Sequence, residues 1–502
     1  MKIAFVNDLV EHIGVEYISA VLKESNHQTS LFVDPRLFVD ENHSIKSLGR
    51  FFDCKKRLIS DLKAYKPGLI GISVNTDTYQ WACTMAKMIK QEMDVPIIFG
   101  GIHPTSVPER VIRNYFVDMV CVGEGEYPML ELANSMAKGQ VDYSIKNIWF
   151  KRNGQIIQNE VRPLIGDLDS LPMPDKDLYY LDSPNFIKNL YFINIGRGCL
   201  QRCSYCCHSF LKKLYANKGK YLRHRTVDNV IKELLIAKNN YKIKLIRFWD
   251  DHFFSNFSTE WRNEFRIKYK EKIRLPFICY LYPAGIDTES VQYLKDCGCI
   301  EVSLGIQTWD QNLRESILHR RIANKDIETL AGVLKNNNIN ITVDFICGIP
   351  GQTERELIDF AGFCKRNKFG AINVFGLKFY PNTDLSFEMK EKGHITALEY
   401  DEFIDNIKGT SFNLSGDISS REVTKLKCMI LLARIFPYRF FNYIIQKKIL
   451  HRFFANIQCE IFGYFYNRFM FSHDKRIFFK TELSHYMYFI KKRLNPRKAR
   501  LT

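Results

Sequence analysis

The stretch Gly196-Arg197-Gly198-Cys199-Leu200-Gln201-Arg202-Cys203-Ser204-Tyr205-Cys206-Cys207-His208 directly follows an apolar run over residues 191–195. Its spacing, Cys199-x3-Cys203-x2-Cys206, puts three thiolates within reach of one centre. Three protein ligands on a four-iron cluster would leave one iron open. An open position separates a catalytic metal from a closed structural one. A zinc knuckle completed by Cys207 or His208 is the competing reading. Structural zinc usually comes as two separated ligand pairs, and no second pair lies downstream at usable spacing. Cys207 is expected to point away from its neighbour Cys206, as a packing thiol or one that supports the ligands.

Outward from this loop the chain alternates between apolar runs and helical stretches. The runs cover residues 191–195, 245–248, 277–281, 301–306, 341–346 and 372–378; helical periodicity covers 227–238, 288–297, 325–336 and 355–366. Six β/α units in about 200 residues predict a partial barrel with its chemistry at the carboxyl ends of the strands. Upstream, apolar runs at 2–6, 69–74, 95–99 and 119–122 are also separated by helical stretches. The third ends in Gly100-Gly101 and the fourth in Gly123-Glu124-Gly125-Glu126. Continuous apolar runs of this kind predict parallel strands covered on both faces. Ligands of such sheets sit at the carboxyl ends, where these glycines fall, although plain turns would also explain them. The expected organisation is an α/β domain over 1–140, a linker with a small hairpin over 141–185, a partial barrel over 186–395 and a helical region over 396–502.

The 502 residues are 46% apolar and 25% charged, which excludes wholesale disorder, collagen-like repeats and a coiled-coil rod. The net charge of +17 is uneven: residues 421–502 hold 18 Lys/Arg and four Asp/Glu, leaving only +3 for the rest. Fourteen cysteines, mostly scattered, are too few for a disulfide scaffold and suit a reducing compartment. The N-terminus meets an acid at Asp8 and has no secretory pattern, and no stretch approaches ~18 uninterrupted apolar residues. A cytoplasmic protein is expected. Its tail interleaves cations with aromatics, as in Arg434-Ile435-Phe436, Arg439-Phe440-Phe441, His451-Arg452-Phe453-Phe454 and Arg476-Ile477-Phe478-Phe479. That pattern suits peripheral contact with an anionic inner membrane surface. A helical cap with a solvated basic rim is the plainer reading, and nucleic acid the least favoured partner.

With Tyr205 one residue before its last cysteine, the triplet resembles the signature of radical S-adenosylmethionine enzymes. The likeness continues strand by strand over residues 191–385. Together with the preceding α/β domain, the whole is similar to the cobalamin-binding branch of that superfamily. The resemblance implies a Rossmann-like cobalamin-binding domain, a partial (β/α)6 TIM-type barrel, and three cofactors: a [4Fe–4S] cluster, S-adenosyl-L-methionine (SAM) and cobalamin. In the family the open iron chelates the amino and carboxylate groups of the methionine moiety. An electron then breaks the sulfonium C–S bond, giving a 5′-deoxyadenosyl radical.

Carried over residue by residue, the resemblance makes Cys199, Cys203 and Cys206 the cluster ligands and Tyr205 the aromatic that seats adenine. Asp250 and Asp251, in Phe248-Trp249-Asp250-Asp251-His252-Phe253, match a paired-acid strand end near the amino group, although such a pair is also a common solvated turn. Gln307 ends the fourth strand as a cofactor contact. Arg320, or its neighbour Arg321, is the cation for the methionine carboxylate, a role that suits a planar fork. Asp344 lies inside an apolar run, where a charge is costly unless it meets a ligand or a partner. The resemblance makes it a ribose acceptor, and a buried ion pair is the alternative. Ser73, Thr76, Gly100 and Gly101 are the implied cobalamin contacts. The familiar Asp-x-His-x-x-Gly motif is missing; Glu11-His12-Ile13-Gly14 comes nearest, one residue short, which leaves the lower cobalt ligand open. The implied activity is radical methylation of an unactivated carbon in a small metabolite or lipid. An oxidative cyclase with the same cofactors and a non-catalytic cobalamin sensor are the alternatives. A low-potential electron donor such as flavodoxin or ferredoxin is also implied.

Overall fold

The computed structural model describes residues 1–36, 46–181, 189–254, 257–367 and 371–405, together with five isolated positions. The basic-aromatic tail expected to be helical thus lies, from 406 onward, almost wholly outside the described residues. Helix Ala397–Ile404 is its described beginning.

The first sheet has seven strands: β1 (Lys2–Asn7), β2 (Gln28–Val33), β3 (Leu69–Ser73), β4 (Ile97–Gly100), β5 (Met119–Cys121), β6 (Ile148–Arg152) and β7 (Gln155–Ile157). Their order is β2-β1-β3-β4-β5-β6-β7, parallel through β5 and antiparallel in the last two. The small hairpin expected after the first domain is β6–β7, and it extends this sheet. Strand order reverses between β1 and β3, and in open α/β sheets ligands bind outside the strand ends at such a switch point.

The second sheet holds β8 (Leu190–Ile193), β11 (Leu245–Phe248), β12 (Phe277–Leu281), β13 (Cys299–Gln307), β14 (Asn340–Cys347) and β15 (Ala371–Gly376). Between β8 and β11 a two-residue ladder, β9 (Gly196–Arg197) with β10 (Arg223–His224), closes a loop. The six strands run in chain order, all parallel, as an open partial barrel. Helices cover the outer face, where Val302, Leu304 and Ile306 of β13 and Ile341, Val343 and Phe345 of β14 join one apolar core. Those helices start and stop where side chains demand it. Asp287 caps helix Thr288–Cys297 by accepting from Ser290 N–H, and Gly298, at φ +96°, ends it in the left-handed region.

The two sheets share one apolar core: Ile3, Phe5, Leu69 and Ile98 of the first pack with Leu190, Phe192, Leu245 and Ile278 of the second. After β15, residues 377–405 form a strap that turns back over both halves. Its Lys378 Nζ lies 2.8 Å from Asp77, its Asp405 takes a two-pronged pair from Arg110, and its Leu385 N–H donates to Ser204 O at 2.9 Å. Among the described residues, no helix is long and apolar enough to cross a membrane.

Candidate active site

The cysteine loop sits at the carboxyl end of β8, and its backbone is fixed at several points. Gly198 takes φ +94°, and a Cβ there would stand 2.4 Å from Tyr221 O. Ser204 is held on both sides: its N–H donates to Leu318 O at 3.1 Å and its Oγ to Ile317 O at 2.5 Å. Cys199 and Cys203 are buried and Cys206 half-buried. Burial pushes the Cys199 thiol up to about 12, and the Cys207 thiol, together with burial, holds Cys206 well above the ordinary range. Thiols so placed ionise when a cationic centre binds them.

Arg320 is the residue set against this loop. Its Nη1 lies 3.1 Å from Cys203 Sγ and 3.3 Å from Tyr205 Oη, its Nη2 donates to Gly305 O, and its guanidinium lies over the Tyr282 ring at 4.6 Å. Burial works against its charge, and Tyr205 and Cys203 outweigh that effect. Arg321, the alternative from sequence, is exposed and lines an outer cleft of about 780 Å³ with Arg202 and His319. Gly305 leaves room for the arrangement, since a Cβ there would stand 2.8 Å from Gln307 Nε2 and 3.3 Å from Arg320 Nη2. Gln307, the last residue of β13, adopts φ +69° where the β13–β14 register shifts.

The acid pair divides. Asp250 is buried and spends both oxygens on backbone N–H groups, accepting from Ile195 at 3.0 and 2.9 Å and from Gly196 at 2.8 Å. Burial pushes its carboxyl up to about 7. It anchors the start of the cysteine loop. Asp251 faces His208 Nε2 at 2.8 Å, while His208 Nδ1 meets Tyr221 Oη at 2.6 Å. Cys207 does not turn away from Cys206 as the sequence reading expects. Its sulfur, that of Cys206 and a His208 nitrogen lie within 4.8 Å of one another, because Cys207 caps helix His208–Leu214 with helical angles and the side chains are close neighbours on its first turn. Asp344 accepts from Asn373 Nδ2 at 2.7 Å on the inner face of the barrel.

A cavity of about 350 Å³ opens at the switch point of the first sheet. Ser73, Gly100 and Gly101 line it, with Phe5, Ile98 and Gly71. Gly101, at φ +98°, could not carry a Cβ, which would stand 2.7 Å from Val74 O. Thr76 instead meets His103 Nδ1 at 3.1 Å and is not among the lining residues. His12, nearest to the missing cobalt-ligand motif, has both ring nitrogens engaged, Nδ1 with Ser73 Oγ at 3.1 Å and Nε2 with Asp8 at 3.2 Å. The far wall of the cavity belongs to the second domain: Asn194, Gly196, Arg197 and Arg225. A slot between strand ends, floored by glycines and walled by apolar side chains, fits the tail of a corrinoid. The cysteine loop with its adjacent cation fits a three-thiolate cluster.

Sequence reasoning missed the side chains that join the two sites, Glu124, Glu126, Arg197 and Arg223, and also Arg247 on the barrel floor. Arg247 Nη2 donates to Tyr280 Oη at 2.5 Å, and its guanidinium lies over the Trp249 and Tyr280 rings. A charge inside an apolar run was the available signal, the same one that singles out Asp344.

These two sites on two α/β sheets define an enzyme whose cofactors are held in separate domains. The B12 binding domain family matches residues 3–133 and the Radical SAM superfamily residues 193–364. The chain belongs to the cobalamin-binding branch of the radical SAM superfamily, and its cofactors are a [4Fe–4S] cluster, SAM and cobalamin. An uncharacterized methyltransferase of Pyrococcus horikoshii is 29% identical over 328 residues, 64% of this chain and 70% of that protein. Cytidylyl-2-hydroxyethylphosphonate methyltransferase of Streptomyces wedmorensis is 21% identical over 455 residues, 79% and 82% of the two chains. Among solved structures, the radical SAM methyltransferase TsrM of Kitasatospora setae, with tryptophan and a SAM analogue, superimposes with a TM-score of 0.61 at 17% identity, covering 78% and 76% of the chains. The cobalamin-dependent radical enzyme OxsB gives 0.64 at 14% identity, covering 97% and 75%.

Proposed function

We propose that this enzyme is a cobalamin-dependent radical methyltransferase that methylates an unactivated carbon of a small metabolite or lipid. One observation carries the reading: the cavity of the first domain and the foot of the cysteine loop share a wall, where Glu124 and Glu126 meet Arg197. Abutting cofactor sites suit a reaction that activates a substrate carbon at one and supplies a methyl group from the other. The two sequence relatives, both named as methyltransferases, support the same reading.

When bound, the cluster with SAM supplies a hydrogen-abstracting radical, and cobalamin supplies the methyl group. The chain's own residues do the binding and orienting. Cys199, Cys203 and Cys206 hold the cluster, and Arg320 offers its fork to a carboxylate beside Cys203. Tyr205 walls the adenine side, and Gln307, Asp251 and Asp344 accept hydrogen bonds from amino and hydroxyl groups. Ser73, Gly100 and Gly101 seat the corrinoid tail. An external low-potential protein delivers the electron.

The test uses full-length enzyme, reconstituted without oxygen, given methyl-deuterated SAM, a reductant and metabolite extract from a deletion strain. Cluster absorption, release of 5′-deoxyadenosine and one metabolite gaining a labelled methyl are expected. A product with an altered hydrogen or oxygen count and no added methyl would favour ring formation instead. Retention of SAM cleavage by Cys203→Ala would overturn the ligand assignment.

A further inference from the structure

We propose that Glu124 and Glu126 are positioning residues that couple the two cofactor sites, so that filling either one tightens the other. The proposal rests on the cofactor reading above but concerns residues to which that reading gives no role. Glu124 lies in the loop after β5 and Glu126 opens the helix that follows (Glu126–Ala137), at the carboxyl edge of the first sheet, and both line the cavity. Their carboxylates reach into the second domain. Glu124 Oε1 lies 3.0 Å from Arg197 Nη1 and 2.8 Å from Arg223 Nη2, and Glu124 Oε2 lies 3.0 Å from Arg223 Nη1. Glu126 Oε1 lies 2.6 Å from Arg197 Nη2.

The two arginines are cross-strand partners in the β9–β10 ladder, and the chain between them carries all three cysteines. One carboxylate therefore holds both feet of the cluster loop. A third hold comes from within the loop: Glu124 N–H donates to Tyr215 Oη at 2.9 Å, and Tyr215 packs so closely on Gly123 that a Cβ there would stand 1.9 Å from its oxygen. Side-chain exposures are 16% for Glu124, 4% for Glu126, 22% for Arg197 and 5% for Arg223. Charge pairs this dry are effective only while their geometry is kept. A molecule filling the cavity bears on Gly123, Glu124 and Gly125 from one side and on Gly196 and Arg197 from the other, so it fixes the feet of the loop. Linkage then requires the converse: an ordered loop raises affinity for the corrinoid by the same factor.

Hydroxocobalamin affinity, measured by absorbance titration of full-length protein with and without its reconstituted cluster, reads this coupling without turnover. Binding about tenfold tighter with the cluster in place is expected for the native chain. In Glu124→Gln and Glu126→Gln the ratio should fall to within about twofold, and the cluster's electron paramagnetic resonance signal should no longer respond to hydroxocobalamin. Among the described residues Glu126 makes its ion pair with Arg197 alone, so Glu126→Gln decides the matter if Glu124→Gln fails to fold. A ratio near one in the native chain, or a native ratio kept by the variants, overturns the proposal. If the chain takes up no iron or no hydroxocobalamin, the cofactor reading itself fails; independent uptake of both defeats the coupling alone.

Discussion

Gly101 sits at φ +98°, with Val74 O 2.7 Å from where a Cβ would stand. Alanine there meets backbone strain and a collision with a carbonyl that no rotamer change relieves. Gly101→Ala should cost about 1–3 kcal/mol by chemical denaturation and weaken hydroxocobalamin binding. Gly332, inside helix Asn324–Asn336 with nothing within 4 Å, is the contrast; alanine there should add about 0.5–1 kcal/mol. Asp250 gives a prediction in pH. Burial raises its folded pKa from 3.8 to about 7, so between those values the folded chain keeps a proton that the unfolded chain releases. Stability from this residue therefore falls as pH rises through that window and is level above it. Asp250→Asn should remove that slope from denaturation midpoints of the apoprotein measured across about pH 4–7. Residues such as Cys199 and Asp344 are legible in the sequence because a local pattern marks them. Glu124 and Arg197 stand 73 positions apart, and only the folded chain brings them together.

The six barrel strands are legible because each is a mostly apolar run, and all but the edge strand β15 are buried along most of their length. β2 escapes notice because Gln-Thr-Ser opens it and it is the edge strand of its sheet, half-buried along most of its length. The antiparallel β6–β7 pair is visible as a hairpin, but its pairing with β5 is a long-range choice that local periodicity does not express. The cysteine loop depends on its ladder as an element. Gly198→Ala would force a Cβ to within 2.4 Å of Tyr221 O at an unfavourable φ, and Tyr221 is the partner of His208. Reconstituted Gly198→Ala should hold well under half the iron of the native chain by chemical assay, while its hydroxocobalamin site still forms.

At the level of the whole molecule, a buried cation joins the halves. Lys176 Nζ lies 2.6 Å from Glu11, 2.8 Å from Glu16 and 2.8 Å from Phe192 O, with all three charged side chains at most 4% exposed. Lys176→Met would leave two carboxylates facing each other in the dry, and should cost about 3–5 kcal/mol by denaturant titration. Adding Glu16→Gln should restore part of that loss.

The strap over residues 377–405 has a consequence in time. Both cofactor pockets are built from chain that precedes it, so they leave the ribosome first. Lys378, Leu385 and Asp405 join the cobalamin domain to the cysteine loop only when translation has passed them. A chain whose synthesis has stopped short of Lys378 thus holds both pockets without the strap that ties the domains together.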